Sequence, residues 1–375
     1  MQEIRKVLIT GGAGFIGSHT ADALLAKGYL VRMLDCLDPQ IHGIEQAVPN
    51  YLDSRCELIR GDVRNADHVR AAIEGVDAVY HFAAQTGVGQ SMYAIHSYCD
   101  ININATAQLL DVLANADHRV KKVILSSSRA VYGEGKYMCG SCGIVFPPAR
   151  SRQQLESHQW GIKCPTCNSL LTSVPTDEEK PQDPISIYAL TKKVQEDLLR
   201  MFSVTYGIPH VILRYFNVYG ARQAINNPYT GIGAIFTNRA LSGDDIVIYE
   251  DGQPGRDFVN VRDVVQANLL ALENEQAINR TFNVGTGECL SVVDLARLIK
   301  EKLQSGVNLK YTNQFRIGDI RDCYADLTRS RAILGYSPKV SFGEGVEELI
   351  TWARGERVEN RSAEAEAALA LRRLM

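Results

Sequence analysis

Short apolar runs alternate with stretches of helical spacing through the first 215 residues. Residues 6–10, Lys-Val-Leu-Ile-Thr, end in glycines and read as a buried parallel strand. Residues 15–27 have helical spacing and close at Gly28, a residue suited to ending a helix. Further strands are predicted at 29–35, 56–60, 77–82 and 122–127, the last two each after a helical stretch. A long helix is predicted over 184–206, with Pro184 at its start, and residues 210–214 return as a sixth strand. Strands alternating with helices imply right-handed βαβ units and an α/β fold on an open, doubly wound parallel sheet.

After Gly220 the rhythm breaks into shorter pieces rich in Gly and Asn. The pattern predicts a first domain over 1–217 and a smaller substrate-side lobe over 218–354, with 257–272 crossing back to the first domain. Residues 355–375, rich in Ala, Glu and Arg, read as a loose surface helix, with partner binding as the alternative.

Composition changes this picture little. The 375 residues are 45% hydrophobic and 22% charged with a net charge of −3, an ordinary globular balance without the basic excess of a nucleic-acid binder. The N-terminus has no signal-peptide pattern, and no apolar stretch approaches the roughly 18 residues of a membrane span. Nine cysteines, an odd number, fit a reducing compartment and predict a cytoplasmic protein rather than a disulfide framework.

Candidate chemistry begins at Gly11-Gly-Ala-Gly14-Phe15-Ile16-Gly17, between a strand and a helix. Gly11 permits the tight turn, Gly14 the approach of a pyrophosphate, and Gly17 close packing of helix on strand, the Rossmann dinucleotide pattern. Asp35, 18 residues after Gly17 at the end of the second strand, can accept from both ribose hydroxyls and would repel a 2′-phosphate. NAD is therefore expected rather than NADP. Asp62, beside Val63 after the third strand, is placed either to reach the adenine or to cap the next helix. His81-Phe-Ala83-Ala ends the fourth strand with small residues where a cofactor would pass, and His81 reads as a packing residue.

Tyr188 and Lys192 are four apart on the long predicted helix and so share a face. An ammonium and an oxidised nicotinamide nearby would both stabilise the phenolate, making Tyr188 a usable base. Ser128, at the end of the fifth strand in Leu-Ser-Ser-Ser128-Arg-Ala-Val-Tyr-Gly, is placed to bond the same substrate oxygen.

Between these two halves lie Cys139-Gly-Ser-Cys142 and Cys164-Pro-Thr-Cys167, two CxxC knuckles with 21 residues between them. That is zinc-ribbon spacing, and four thiolates would close the coordination of a structural Zn²⁺. Gly143 and Asn168 follow the knuckles, where left-handed geometry completes each turn. His158 reads as a surface residue. The insert, 134–175, carries no strong basic stripe, so its position between Ser128 and Tyr188 suggests a rigid lid over the substrate pocket or an oligomer contact.

With these motifs in place, the chain resembles an extended short-chain dehydrogenase/reductase of the nucleotide-sugar epimerase/dehydratase family, over about residues 4–350 apart from the insert. Asn104, Arg214-Tyr-Phe-Asn217, Gly255-Arg256-Asp-Phe-Val and Arg316-Ile-Gly-Asp-Ile-Arg321 also match. The resemblance implies that Phe15, Ile16, Val63, Ala83, Tyr188 and Lys192 touch the cofactor along with the glycines, Asp35 and Asp62. It further implies that Gln85, Ser128, Asn217, Arg256 and Arg321 hold the substrate. Dehydratases of the family carry an Asp-Glu pair directly after the catalytic hydroxyl residue, where this chain has Arg129 and Ala130.

The implied activity is therefore 4-epimerisation of a nucleotide sugar by transient C4 oxidation, with a homodimer as the expected assembly. The insert and the run 180–188 are most similar to the dTDP-L-rhamnose 4-epimerases, which points to a dTDP-6-deoxyhexose. The alternatives are a nucleotide 4-ketosugar reductase and a non-catalytic dinucleotide sensor that uses the ribbon to contact a partner.

Overall fold

In a computed structural model, described over residues 3–375, seven parallel strands form the central sheet. They are β1 (Lys6–Thr10), β2 (Leu30–Asp35), β3 (Glu57–Arg60), β4 (Ala78–His81), β5 (Lys122–Ser128), β6 (His210–Tyr215) and β7 (Arg280–Val284), in the order β7-β6-β5-β4-β1-β2-β3. The direction of winding reverses between β1 and β4, so a crevice opens there at the carboxyl ends of the strands. Apolar residues of both faces are buried: Val7, Ile9 and Val211 point to one core, and Leu8, Val123 and Ile212 to the other. The predicted strands match these to within a residue or two.

The long helix, α2, runs Ile187–Tyr206 and follows α1 (Phe15–Ala26) in this numbering. It begins later than Pro184 because Ser186 caps it, its Oγ accepting from the Ala189 N–H at 3.2 Å. Its C-terminus stops at Gly207, φ +70°.

The boundary expected at 217/218 does not divide the chain cleanly. β7 pairs with β6 along five residues, reached through the crossover helix α3 (Val261–Glu273). The unit β6–α3–β7 obeys the same parallel-crossover rule as the units before it, but a long excursion separates its parts. Ile320, Cys323, Ala325 and Leu334 also pack on the first core. The second lobe has its own core around Phe236, Ile246, Phe258, Leu295 and Leu349.

The cysteine-rich insert folds as three short antiparallel strands, Lys136–Cys139, Gly143–Val145 and Thr172–Val174. It docks on the second lobe's 320s segment, where Gly135 N–H donates to Asp322 O and Thr176 N–H to Tyr324 O, both at 2.8 Å. A side chain on Gly135 would meet the Asp322 carbonyl at 2.5 Å, so glycine is required there. The last helix, α4 (Ser362–Ala370), buries Ser362, Ala365 and Leu369 rather than lying loose on the surface. Among the described residues no helix is long and apolar enough to cross a membrane.

Candidate active site

One cavity of about 590 Å³ runs from the glycine loop to the second lobe. Its first part is built by backbone that excludes side chains. Gly11 has φ +70°, and a Cβ there would lie 2.8 Å from the Ala83 nitrogen. A Cβ on Gly17 would lie 2.4 Å from the Gly11 carbonyl oxygen. α1 starts without a side-chain cap, which leaves first-turn N–H groups to a phosphate. Asp35 is buried and accepts from Ala13 N–H and Leu37 N–H, each at 2.9 Å, which fixes its carboxylate beside the loop. Gly14, Phe15, Ile16, Asp62, Val63 and Ala83 line the same cavity. The cradle fits a dinucleotide.

Two residues left open by sequence resolve here. Asp62 does not cap the following helix, which Asn65 caps. Asp62 instead pairs with Arg64 at 2.6 Å on the cavity wall, and that guanidinium holds its carboxyl below the usual range. His81 bridges Thr10 Oγ1 and Thr106 Oγ1 at 2.9 Å each, and burial pushes its pKa down to about 3. It is a neutral packing residue.

Ser128, Tyr188 and Lys192 meet at the centre of the cavity. The Tyr188 phenol lies beside Ser128, and Lys192 Nζ donates to the Ser126 carbonyl at 2.9 Å. Burial raises the Tyr188 phenol, against the lowering expected from sequence, because desolvation outweighs the opposing influence of neighbouring Ser128 and the charge of Arg129. Burial also pulls Lys192 down to about 7, partly offset by Glu196.

The substrate side corrects one assignment. Gln85, Asn217 and Arg256 line the cavity, and the Arg256 guanidinium is fixed by the carbonyls of Gly255, Ile320 and Arg321. Arg321 does not line it. Its guanidinium turns away to Asp251 at 2.7 and 2.8 Å and to Glu250 at 3.2 Å. Arg316 lies on the cavity wall instead, stacked 4.4 Å from the Tyr249 ring centroid, with a buried Nε that has no protein partner. Gly318, φ +90°, turns the chain between the two arginines. Spacing alone could not say which of them faces inward. Arg129 was also missed as a site residue. It lines the cavity, and burial together with neighbouring Arg256 lowers its pKa to about 10.

No residue from 134 to 175 lines the cavity, so the insert is not a lid over it. It stands behind the wall, with Arg150 bonded to Glu250. The ligand atoms of Cys139, Cys142, Cys164 and Cys167 all lie within 4.8 Å of one another, compatible with tetrahedral thiolates about 2.3 Å from a shared Zn²⁺. Gly143 (φ +79°) and Asn168 (φ +62°) have the left-handed geometry expected after each knuckle.

Comparison with known proteins agrees with this geometry. Residues 7–148 match the model of the NAD dependent epimerase/dehydratase family, and residues 170–349 match that of GDP-mannose 4,6 dehydratase. The stretch between the two matches falls in the insert. A dTDP-L-rhamnose 4-epimerase of Burkholderia thailandensis is 37% identical over 94% of this chain and 96% of its own length. A putative UDP-glucose 4-epimerase of Methanocaldococcus jannaschii is 31% identical over 93% and 98%. Among solved structures, the UDP-glucose 4-epimerase of Thermotoga maritima with UDP-glucose superposes with a TM-score of 0.77 at 32% identity, covering 93% of this chain and 99% of that one. The UDP-glucuronic acid 4-epimerase of Bacillus cereus with UDP-glucuronic acid and NAD gives 0.76 at 28%, covering 93% and 99%.

Proposed function

The chain belongs to the NAD-dependent epimerase/dehydratase family and is an NAD-dependent nucleotide-sugar epimerase, and we propose that it inverts C4 of a dTDP-linked 6-deoxyhexose. The observation that carries the 4-epimerase reading is the convergence of Ser128, Tyr188 and Lys192 on one cavity that also holds the glycine loop. In this reading Tyr188 takes the proton of the C4 hydroxyl while Ser128 bonds the same oxygen, and Tyr188 later returns the proton. Lys192, beside the tyrosine on α2, orients the cofactor ribose and adds positive charge. NAD, when bound, supplies the acceptor and then the donor of the C4 hydride. Gly11, Gly14, Gly17 and Asp35 are the residues that would hold it.

Arg129 and Ala130 stand where a dehydratase needs an acid and a base, and neither can abstract a C5 proton. A single carbon is then oxidised and reduced on opposite faces. The choice of dTDP-L-rhamnose as the substrate rests on the 37% identical relative and on the cysteine insert.

The four clustered thiols support one structural zinc per chain, held by Cys139, Cys142, Cys164 and Cys167. Exposed Leu190, Met201 and Val204 along α2 support a homodimer through that helix. Nine unpaired cysteines suit the cytoplasm.

The test is incubation of purified protein, with no cofactor added, with dTDP-, UDP- and GDP-sugars, read by anion exchange and NMR. Interconversion of dTDP-L-rhamnose and its C4 epimer is expected, as is NAD released on denaturation. Turnover only with added NAD(P)H would identify a reductase instead, and retained NADP would contradict the role of Asp35.

A further inference from the structure

The C-terminal helix α4 is part of the cavity wall. Ser362, Ala365, Glu366 and Leu369, spaced for one face, all line it. The two ends of the helix are held by different parts of the fold. Near its start, Arg239 Nη1 donates to Ser362 Oγ at 2.7 Å and approaches Glu366 Oε1 at 3.4 Å, while the Tyr249 hydroxyl donates to Glu366 Oε1 at 3.1 Å. Near its end, Leu369 packs over Gly89, where an added methyl would lie 3.5 Å from it, and Arg372 covers the Tyr93 ring at 4.4 Å. Beyond the helix, Ile317 N–H donates to the Leu374 carbonyl at 2.9 Å and Arg152 of the insert to the Arg373 carbonyl at 2.5 Å. The helix therefore bridges the second lobe and the loop after β4, with its end tied down from both sides.

What faces this wall follows from the order of groups along the cavity. Tyr188 and Ser128 mark the reacting carbon, and Arg129 neighbours both Tyr188 and Arg256. Arg256 is bonded to the Ile320 and Arg321 carbonyls of the segment that carries Arg316. Arg316 stacks on Tyr249, and Tyr249 reaches Glu366. A nucleotide sugar with C4 at Tyr188 and its diphosphate at the arginines must lay its nucleoside against Tyr249 and α4.

We propose that α4 forms the nucleoside-facing wall of the substrate site and that Glu366 is a specificity residue, accepting a hydrogen bond from an N–H or O–H of the nucleoside. The inference rests on the nucleotide-sugar reading and deepens it. The bonds that hold Glu366 fall on Oε1, which leaves Oε2 without a hydrogen bond from the described residues, and Glu366 lines the cavity. Its side chain is 32% exposed, enough to be reached by a ligand. Tyr249 and Arg239 fix the carboxylate, so little side-chain freedom is lost on binding.

The test is calorimetric titration of the purified, NAD-containing full chain with dTDP and with UDP. Glu366→Ala should weaken the better of the two ligands by about tenfold or more, the range for a hydrogen bond to a charged group. Glu366→Gln should weaken it less. KM for the nucleotide sugar should rise in step, with kcat changed by less than about threefold and NAD content unchanged. Glu364→Ala, on the solvent side of the same helix and paired only with Arg361, should bind as the wild type does. Unchanged affinity in both Glu366 variants, or equal loss in Glu364→Ala, overturns the proposal. A wild-type chain that binds neither dTDP nor UDP overturns the nucleotide-sugar reading beneath it.

Discussion

Arg150 of the insert and Glu250 of the second lobe form a buried two-point ion pair, with N···O distances of 2.7 and 2.9 Å. Glu250 lies on the cavity wall next to Tyr249 and in left-handed geometry, φ +50°. The insert thus reaches the substrate site from behind, by fixing a turn that the second lobe alone would hold less firmly.

Removing one partner of this pair should be costly. Arg150→Met leaves Glu250 without its main counter-charge in a buried site, and Glu134, 3.8 Å from Arg150, loses one too. A loss of about 3–5 kcal/mol in urea unfolding is expected. Arg150→Met combined with Glu250→Gln should recover part of it, because the unpaired charge is gone. Equal stability of the single variant and the wild type would show that the pair contributes nothing to folding.

At the catalytic centre, Tyr188→Phe should lower turnover by about two to four orders of magnitude, the range for a general acid-base group, with the fold and bound NAD retained. The charge of Arg129 opposes the burial that raises the Tyr188 phenol. In Arg129→Met the phenol should therefore ionise at higher pH, and the acidic limb of the kcat/KM profile should move upward. A limb that stays in place would remove Arg129 from the set of groups acting on the base.

The metal reading is checked by elemental analysis of protein purified without chelators, with one zinc per chain expected. Cys142→Ser or Cys164→Ser should raise hydrogen exchange across 134–175, because the metal supplies folding energy to a segment with little core of its own. Activity should fall less than in Tyr188→Phe, since no residue of the insert lines the cavity and it meets the wall from behind, through Glu250, the Asp319 carbonyl and the tail. Full activity together with unchanged exchange would leave the four thiols without a structural role.

The parts legible in the sequence are those fixed by local pattern. The glycine loop, Asp35 and the Tyr188–Lys192 spacing each depend on a strand end or a single helical turn, and all of them lie in one cavity. The knuckles were legible for the same reason. What escaped depends on contacts distant in sequence. Strand β7 was hidden because 64 residues separate it from β6. Arg316 was passed over for Arg321 because the orientation of both hangs on the turn at Gly318. α4 looked like a loose tail because its apolar face is short, and contacts distant in sequence, with Arg239, Tyr249, Tyr93 and the 317 segment, show where it docks.

Acid should destabilise the protein through its buried histidines. Burial lowers His81 to about 3 and His210 to about 4, against an ordinary value near 6.5. Between those values and 6.5 the unfolded chain binds protons that the folded chain refuses. Stability is thus full above pH 6.5 and is lost as pH falls toward 4, by up to about 1.4 kcal/mol per pH unit for each histidine. Carboxyls raised by burial, among them Glu134, Glu178 and Asp257, act in the opposite sense, so the net slope of the wild type mixes both. A variant isolates one contribution. His81→Asn should be less stable at pH 7, because the imidazole bridge between Thr10 and Thr106 is broken. Its stability should nevertheless fall less steeply than that of the wild type between pH 6.5 and 4.5, the difference approaching one proton. Parallel curves in urea titrations at five pH values would mean that His81 takes up a proton in the folded protein as readily as in the unfolded chain.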